Sequence, residues 1–450
     1  MRHLFFAFAM FGAVTAQTQD SLFIAQIFEN TLTHGDCHDN LRVLCKDIGP
    51  RLSGSPAAEK AIQWGKSTLE SYQPDSVFLQ EVTVPHWVRG QVEKASMHSN
   101  GQKASLAISA LGGSIGTDGL LEAEIIEVKK LEQLAELGEE KVKGKIVFFN
   151  RALDPVLINT GMAYGGANDQ RSYGAAEAAK FGAVGVLVRS LTHALDEKPH
   201  TGSMYYLEDG RKIPAAAIST VDANNLHQAL KSNPRLTVSL ELDCELLPDV
   251  VQHNVIAEFR GTQAPEEYIV VGGHLDSWDI GEGAHDDGAG IVHSIEVLKN
   301  LKDLNYQPKH TIRIVLFINE ENGNNGGKTY ANIAKAKKEK HIAALESDMG
   351  GFVPRGFSME TTDEQADAIR AWNELFEPYN LHTFRRGWSG VDIRPLKNGS
   401  TALIGLVPDN QRYFDFHHSA NDTFENVHKR ELELGAASMT ALIYLIDQHF

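Results

Sequence analysis

The 450-residue chain sets 59 Asp and Glu against 42 Lys and Arg, a formal charge of −17. That excess repels nucleic acid and anionic membrane surfaces, so neither is expected as a partner. A hydrophobic share of 42% and a charged share of 22% exclude a disordered chain, and the length suits one large core plus one insertion.

Met1-Arg2-His3 is a short basic start, followed by an apolar run from Leu4 to Val14 and the small residue Ala16. The pattern predicts a secretory signal peptide over residues 1–16, because the run is shorter than the ~20 apolar residues that cross a bilayer. An extracellular location follows, with a lysosomal or other endomembrane lumen as the alternative. No membrane span is expected further along. Cys37, Cys45 and Cys244 would then meet an oxidising compartment, where an odd count leaves one unpaired; Cys37 and Cys45 form the candidate bridge.

Leu22, Ile24, Ile27, Phe28 and Leu32 recur near a helical period, so residues 20–72 read as mostly helical. The rigid turn Gly49–Pro56 interrupts them and carries helix-start signals at its end. Strands are expected over 76–84 and after Pro85. Residues 116–245 read as an inserted α/β module: short apolar strands at 144–149, 183–188 and 213–218 alternate with helices at 175–181 and 221–230. Residues 17–115 and 246–450 would form the main domain. There the runs 268–271 and 311–318 are continuously apolar, the mark of strands covered by helices on both faces, and helices are expected around 291–301 and 432–446. The fold class is α/β, a mixed sheet sandwiched by helices, with the module inserted.

The chemistry-bearing residues cluster in the main domain. His274 follows Gly272-Gly273 at the end of one apolar run, the carboxyl edge where open α/β sheets place their ligands. Asp276, two residues on, is expected to accept the ring's other N–H. Asp286 lies in the turn Gly283–Gly288 that opens a helix; it is the candidate bridging carboxylate, with Asp287 as the helix cap and His285 as a rival ligand. Glu320 and Glu321 end the most apolar run. Adjacent carboxylates repel unless cations compensate, so one is expected to ligate metal and the other to act as general base. Asp348 follows the strand-like stretch 342–345, and His417-His418 supplies a last imidazole. Spacing does not decide between these two, and alternation along an extended chain would put them on opposite faces. Two imidazoles and three carboxylates, with no thiolate, suit zinc.

These motifs resemble the secreted co-catalytic di-zinc exopeptidase family that includes bacterial leucyl aminopeptidases and glutamate carboxypeptidases. The likeness extends to Pro50-Arg51-Leu52-Ser53-Gly54-Ser55 and to the middle insertion, which resembles a protease-associated domain. The resemblance implies two Zn2+ per subunit, with His274 and Asp348 on one, Glu321 and His418 on the other, and Asp286 bridging. The histidine before a small hydroxyl residue is the family's ligand, which selects His418. Also implied are Glu320 as general base acting on a metal-bridging hydroxide, Asp276 in support, and a cis peptide between Asp286 and Asp287. Gly387–Ile393 resembles the loop that shapes the substrate pocket. In it Asp392 would hold the substrate's free amine, a turn-capping role being the alternative, and Trp388 is bulkier than the family pattern. The implied protein is a homodimer that hydrolyses dipeptides or short peptides with free termini. A broad aminopeptidase acting on longer peptides and a non-catalytic receptor-like homologue are the other readings. Asn398-Gly399-Ser400 and Asn421-Asp422-Thr423 fit the glycan acceptor pattern; Asn398 is the expected site, and Asn421, close to His418, is expected to stay unmodified.

Overall fold

The computed structural model describes residues 18–450, so the expected signal peptide lies outside the described residues. Among the described residues no helix is long and apolar enough to cross a membrane. The first helix ends at His34 and buries Ile24, Ile27 and Phe28. Leu22, expected on the same stripe, is 64% exposed, because at ~100° per residue it lies about 160° round the helix from Ile24. The helix Pro56–Ser71 starts as its sequence dictates: Ser55 accepts the Ala58 N–H, and Pro56 occupies the first position, where its missing N–H costs nothing.

Two eight-stranded sheets organise the molecule. The first runs Ser76–Val88, Glu245–Phe259, His310–Phe317, Ala264–His274, Lys340–Glu346, Ala402–Pro408, Pro354–Glu360, Thr383–Arg386 in spatial order. Its four central strands, from His310–Phe317 to Ala402–Pro408, are mutually parallel, so their carboxyl ends share one edge. Of the flanking pairs three are antiparallel, and the outermost, Pro354–Glu360 with Thr383–Arg386, is parallel. All eight residues of His310–Phe317 are buried, which is why that run shows no alternation. Helices cover both faces. On one side Ala289–Asp303 and Lys429–His449 pack with the first helix into the main core; on the other Tyr330 and Ala334 of Asn325–Lys337 meet Val270 and Val315.

The second sheet centres on four parallel strands, Leu121–Val128, Ile146–Phe149, Gly185–Arg189 and Ala215–Ile218. It has cores of its own. Glu93–Ser99, Gln102–Leu106 and Ile108–Ala110 join it as well, residues that the sequence pattern leaves in the main domain. Cys37, Cys45 and Cys244 are all free and buried, which corrects the candidate Cys37–Cys45 bridge. Those two lie on consecutive helices, where eight residues span roughly 12 Å, far beyond disulfide reach.

Candidate metal centre

Chain order at the shared carboxyl edge brings the five expected donors together. His274 is the last residue of its strand, and a Cβ at Gly273 would lie 2.5 Å from Asp287 Oδ2 and 2.9 Å from the Gly290 carbonyl carbon. Only a glycine there lets the strand end approach the next helix so closely. Glu321 and Asp348 follow the ends of the two neighbouring strands, and His418 lies beyond the fourth.

Asp286 is the centre of the arrangement. Its Oδ1 is 3.3 Å from His274 Nε2, which in turn lies 3.4 Å from Asp348 Oδ1. Its Oδ2 is 3.3 Å from His418 Nε2, which lies 3.1 Å from Glu321 Oε2. One carboxylate thus divides its two oxygens between two donor pairs. Asp286 Oδ2 is buried without a hydrogen-bond partner, and a void of about 10 Å³ touches Asp286, Glu321 and His418. Donor atoms of Asp286, His274 and Glu321 lie within 4.8 Å of one another, as do those of Asp286, His417 and His418. The peptide between Asp286 and Asp287 is cis.

The electrostatics fit a cation. Burial, reinforced by Asp348 and Asp286, pushes the Glu320 carboxyl up to about 8. Burial and then Asp286 push Glu321 well up, and burial raises Asp348. Burial would raise Asp286 too, but His274, His417 and His418 outweigh it and hold that carboxyl below the usual range. So many acids out of water either take up protons or are compensated by nearby positive charge. Glu321 is 6% exposed, whereas Glu320 is only half-buried.

Both imidazoles have their tautomers set by backbone. His274 Nδ1 donates to the Asp276 carbonyl at 3.0 Å and His418 Nδ1 to the Thr201 carbonyl at 3.2 Å. A carbonyl only accepts, so in the neutral ring each Nε2 keeps its lone pair. This corrects the expectation for the Asp276 side chain, which stays 3.9 Å from His274 Nδ1. Its carboxylate instead accepts the N–H groups of Glu320 at 3.1 Å and Glu321 at 3.3 Å, fixing the turn that carries both glutamates. His417 and His418 do not face opposite ways. Their rings stack at 3.5 Å, because His418 has a φ of +61° and breaks the extended alternation. His417 Nε2 lies 3.7 Å from Asp286 Oδ2, the more distant of the two rings.

His285 turns away from the donors. Its ring stacks on Phe352 at 4.2 Å, accepts the Gly351 N–H at Nδ1 and donates from Nε2 to the Asn426 carbonyl. Asp287 accepts the Gly290 N–H at 2.9 Å, a helix-capping contact, and the His274 N–H at 3.0 Å. Asp392 is fully buried and neither oxygen has a hydrogen-bond partner, so it caps no turn. Glu346 holds its loop by accepting the N–H groups of Val391 and Ile393, each at 2.9 Å. Trp388, half-exposed, lies under the Arg394 guanidinium at 4.6 Å. Asn398 is exposed, and Asn421 Nδ2 is engaged by Asp196 at 2.9 Å.

Sequence reasoning missed Asp422, Thr201 and Ser203. Asp422 accepts the N–H groups of His285 at 2.7 Å and Asp286 at 3.1 Å, and burial raises its carboxyl to about 7. Its only sequence signal is its place four residues after His418.

Residues 254–443 match peptidase family M28. The chain is 36% identical over 411 residues to carboxypeptidase Q of Xenopus laevis, covering 91% of this chain and 85% of that one. Carboxypeptidase Q of Bos taurus is 34% identical over 411 residues, 91% of this chain and 84% of its own. The solved structure of a peptidase M28 precursor from Shewanella amazonensis SB2B aligns with a TM-score of 0.91 at 34% identity, covering 96% of this chain and 97% of that one. BSAP, a zinc aminopeptidase from Bacillus subtilis, shares the fold at a TM-score of 0.65 and 20% identity, over 91% and 94% of the two chains. The chain belongs to peptidase family M28, and it is a metallopeptidase.

Proposed function

We propose that the protein is a secreted exopeptidase that holds two zinc ions and cleaves dipeptides or short peptides with free termini, as a homodimer. The observation that carries this reading is Asp286, whose two oxygens face two separate His–carboxylate pairs. His274 and Asp348 would hold one ion, Glu321 and His418 the other, and Asp286 both. When bound, the ions supply Lewis acidity that acidifies a water and polarises the scissile carbonyl. Glu320, the less buried of the two adjacent glutamates, takes the proton from the attacking water and returns it to the leaving amine. Asp276 orients Glu320 through its backbone N–H.

Asp392 offers the substrate's ammonium a buried carboxylate with both oxygens free, and the half-exposed Trp388 flanks the same loop. Asp392→Asn is expected to lower kcat/KM on a free dipeptide by about 30-fold or more, the cost of unpairing a buried charge, and to leave an N-acylated substrate unchanged. Rates on a dipeptide, a blocked dipeptide and a tetrapeptide separate dipeptidase from broad aminopeptidase. The test of the whole reading is Glu320→Gln. Two zinc ions per chain are expected to remain while kcat falls by roughly 10²- to 10⁴-fold. Loss of an ion instead would make Glu320 a ligand and overturn the assignment.

A further inference from the structure

The inserted module reaches into one half of the donor set and not the other. Its segment His200–Ser203 runs antiparallel to the ligand segment, with an isolated bridge between His200 and Ser419. Thr201 N–H donates to the His418 carbonyl at 2.9 Å, and His200 Nδ1 donates to the His417 carbonyl at 2.7 Å. The Thr201 carbonyl accepts the His418 Nδ1–H at 3.2 Å and Arg171 Nη1 at 3.4 Å. Ser203 Oγ donates to the Glu321 carbonyl at 2.6 Å. Both residues of one donor pair, His418 and Glu321, are therefore gripped by the same four-residue segment.

That segment is built into the module. Gly112 N–H donates to the Gly202 carbonyl at 3.0 Å, Met204 N–H to the Gly112 carbonyl at 2.9 Å, and Thr201 Oγ to the Ala110 carbonyl at 2.7 Å. Gly202 has a φ of +138°, and a Cβ there would meet the Arg171 guanidinium and lie 2.7 Å from His418 Nδ1. By contrast, His274 is fixed by Asp276 and Asp287 of the main domain. Among the described residues no hydrogen bond joins the module to His274 or Asp348.

We infer that the inserted module is a structural part of the second cation subsite: residues His200–Ser203 position His418 and Glu321 and so set the affinity of that subsite alone. The inference rests on the two-cation reading above. Its logic is that groups holding a ligand's orientation and tautomer contribute to metal affinity although they never touch the metal.

The experiment titrates Zn2+ into metal-free full-length protein by calorimetry, with bound zinc counted after dialysis, for wild type, Gly202→Ala, Ser203→Ala and Ser203→Thr. Gly202→Ala and Ser203→Ala are expected to bind one ion with wild-type affinity and the other about 10- to 100-fold more weakly. Ser203→Thr, which keeps the hydroxyl, is expected to restore the second affinity. Should Gly202→Ala not fold, the Ser203 pair decides alone. Unchanged affinity for both ions in the folded variants, or equal weakening of both, overturns the inference and leaves the two-cation reading standing. A wild type that binds a single ion removes that reading and the inference with it.

Discussion

Arg51 is fully buried, and its guanidinium is aimed at backbone. Nε donates to the Leu275 carbonyl at 2.6 Å, Nη1 to the Glu282 carbonyl at 2.7 Å and Nη2 to the Gly283 carbonyl at 2.9 Å. Those carbonyls flank His274 on one side and Asp286 on the other, so one side chain sets the spacing of two donors. A lysine ammonium at this place cannot match the planar fork and would leave at least one buried carbonyl unpaired, at about 1–3 kcal/mol each. Arg51→Lys is expected to lower the stability of the metal-free protein by about 3 kcal/mol, read from urea midpoints, and to weaken zinc binding. The motif around Arg51 stands out in the sequence, and so do the donors, because each follows an apolar run or a glycine turn at a strand's end. What Arg51 holds is not legible, since its partners lie more than 220 positions away. Thr201 and Ser203 are hidden in the same way, 217 and 118 positions from the His418 and Glu321 they hold. Nor could the order His417-His418 reveal its stacked rings, which depend on one left-handed residue.

At the scale of elements, the helix Ala289–Asp303 carries an acid in its buried face. Glu296 is wholly buried against the helix Cys37–Arg42; its Oε2 accepts the Asp36 N–H at 3.0 Å, and its Oε1 has no hydrogen-bond partner. Burial raises its carboxyl from 4.5 to about 7, with Lys299 opposing and Asp36 and Asp303 adding to the rise. A carboxyl raised on folding favours the native state while protonated. Its contribution is complete below pH 4.5 and is lost as pH climbs through 7, a change of roughly 3 kcal/mol. Comparing urea midpoints at pH 5 and pH 8, wild type is expected to lose stability relative to Glu296→Gln by about that amount; parallel behaviour of the two proteins would refute the assignment. Its burial is not legible in the sequence, where Glu296 lies off the apolar positions Ile291, Ile295, Leu298 and Leu301. Central strands were easier to recognise, being continuously apolar. The short strands Glu93–Ser99 and Gln102–Leu106 were not, because Glu93, Lys94, Gln102 and Lys103 break any apolar run, and Ile108–Ala110 is only three residues long.

Across the whole molecule, the donor set lies where the two sheets meet. Trp278 shows the junction: its ring would collide with any side chain at Gly112 of the module, and it packs edge-on to His418 at 5.7 Å. The Trp278 backbone N–H donates to Glu321 Oε1 at 3.2 Å. Arg89 adds a second tie by pairing with Asp279, and Asn421 a third by donating to Asp196. The acids Asp286, Glu321 and Asp348 therefore load the same surface that joins the halves, and without a counter-charge they press it apart. Cations that bind only the folded chain stabilise it by about 4 kcal/mol per site when present at a thousand times their dissociation constant. Chelation is expected to lower Tm by several degrees, and zinc to restore it. Because Thr201 and Ser203 couple the module to His418 and Glu321, chelation should also speed proteolytic cleavage near residues 193–210, with zinc slowing it again. Tm and cleavage rates that ignore the chelator would mean that the acids are neutralised by protons rather than metal, and the centre would have to be reassigned.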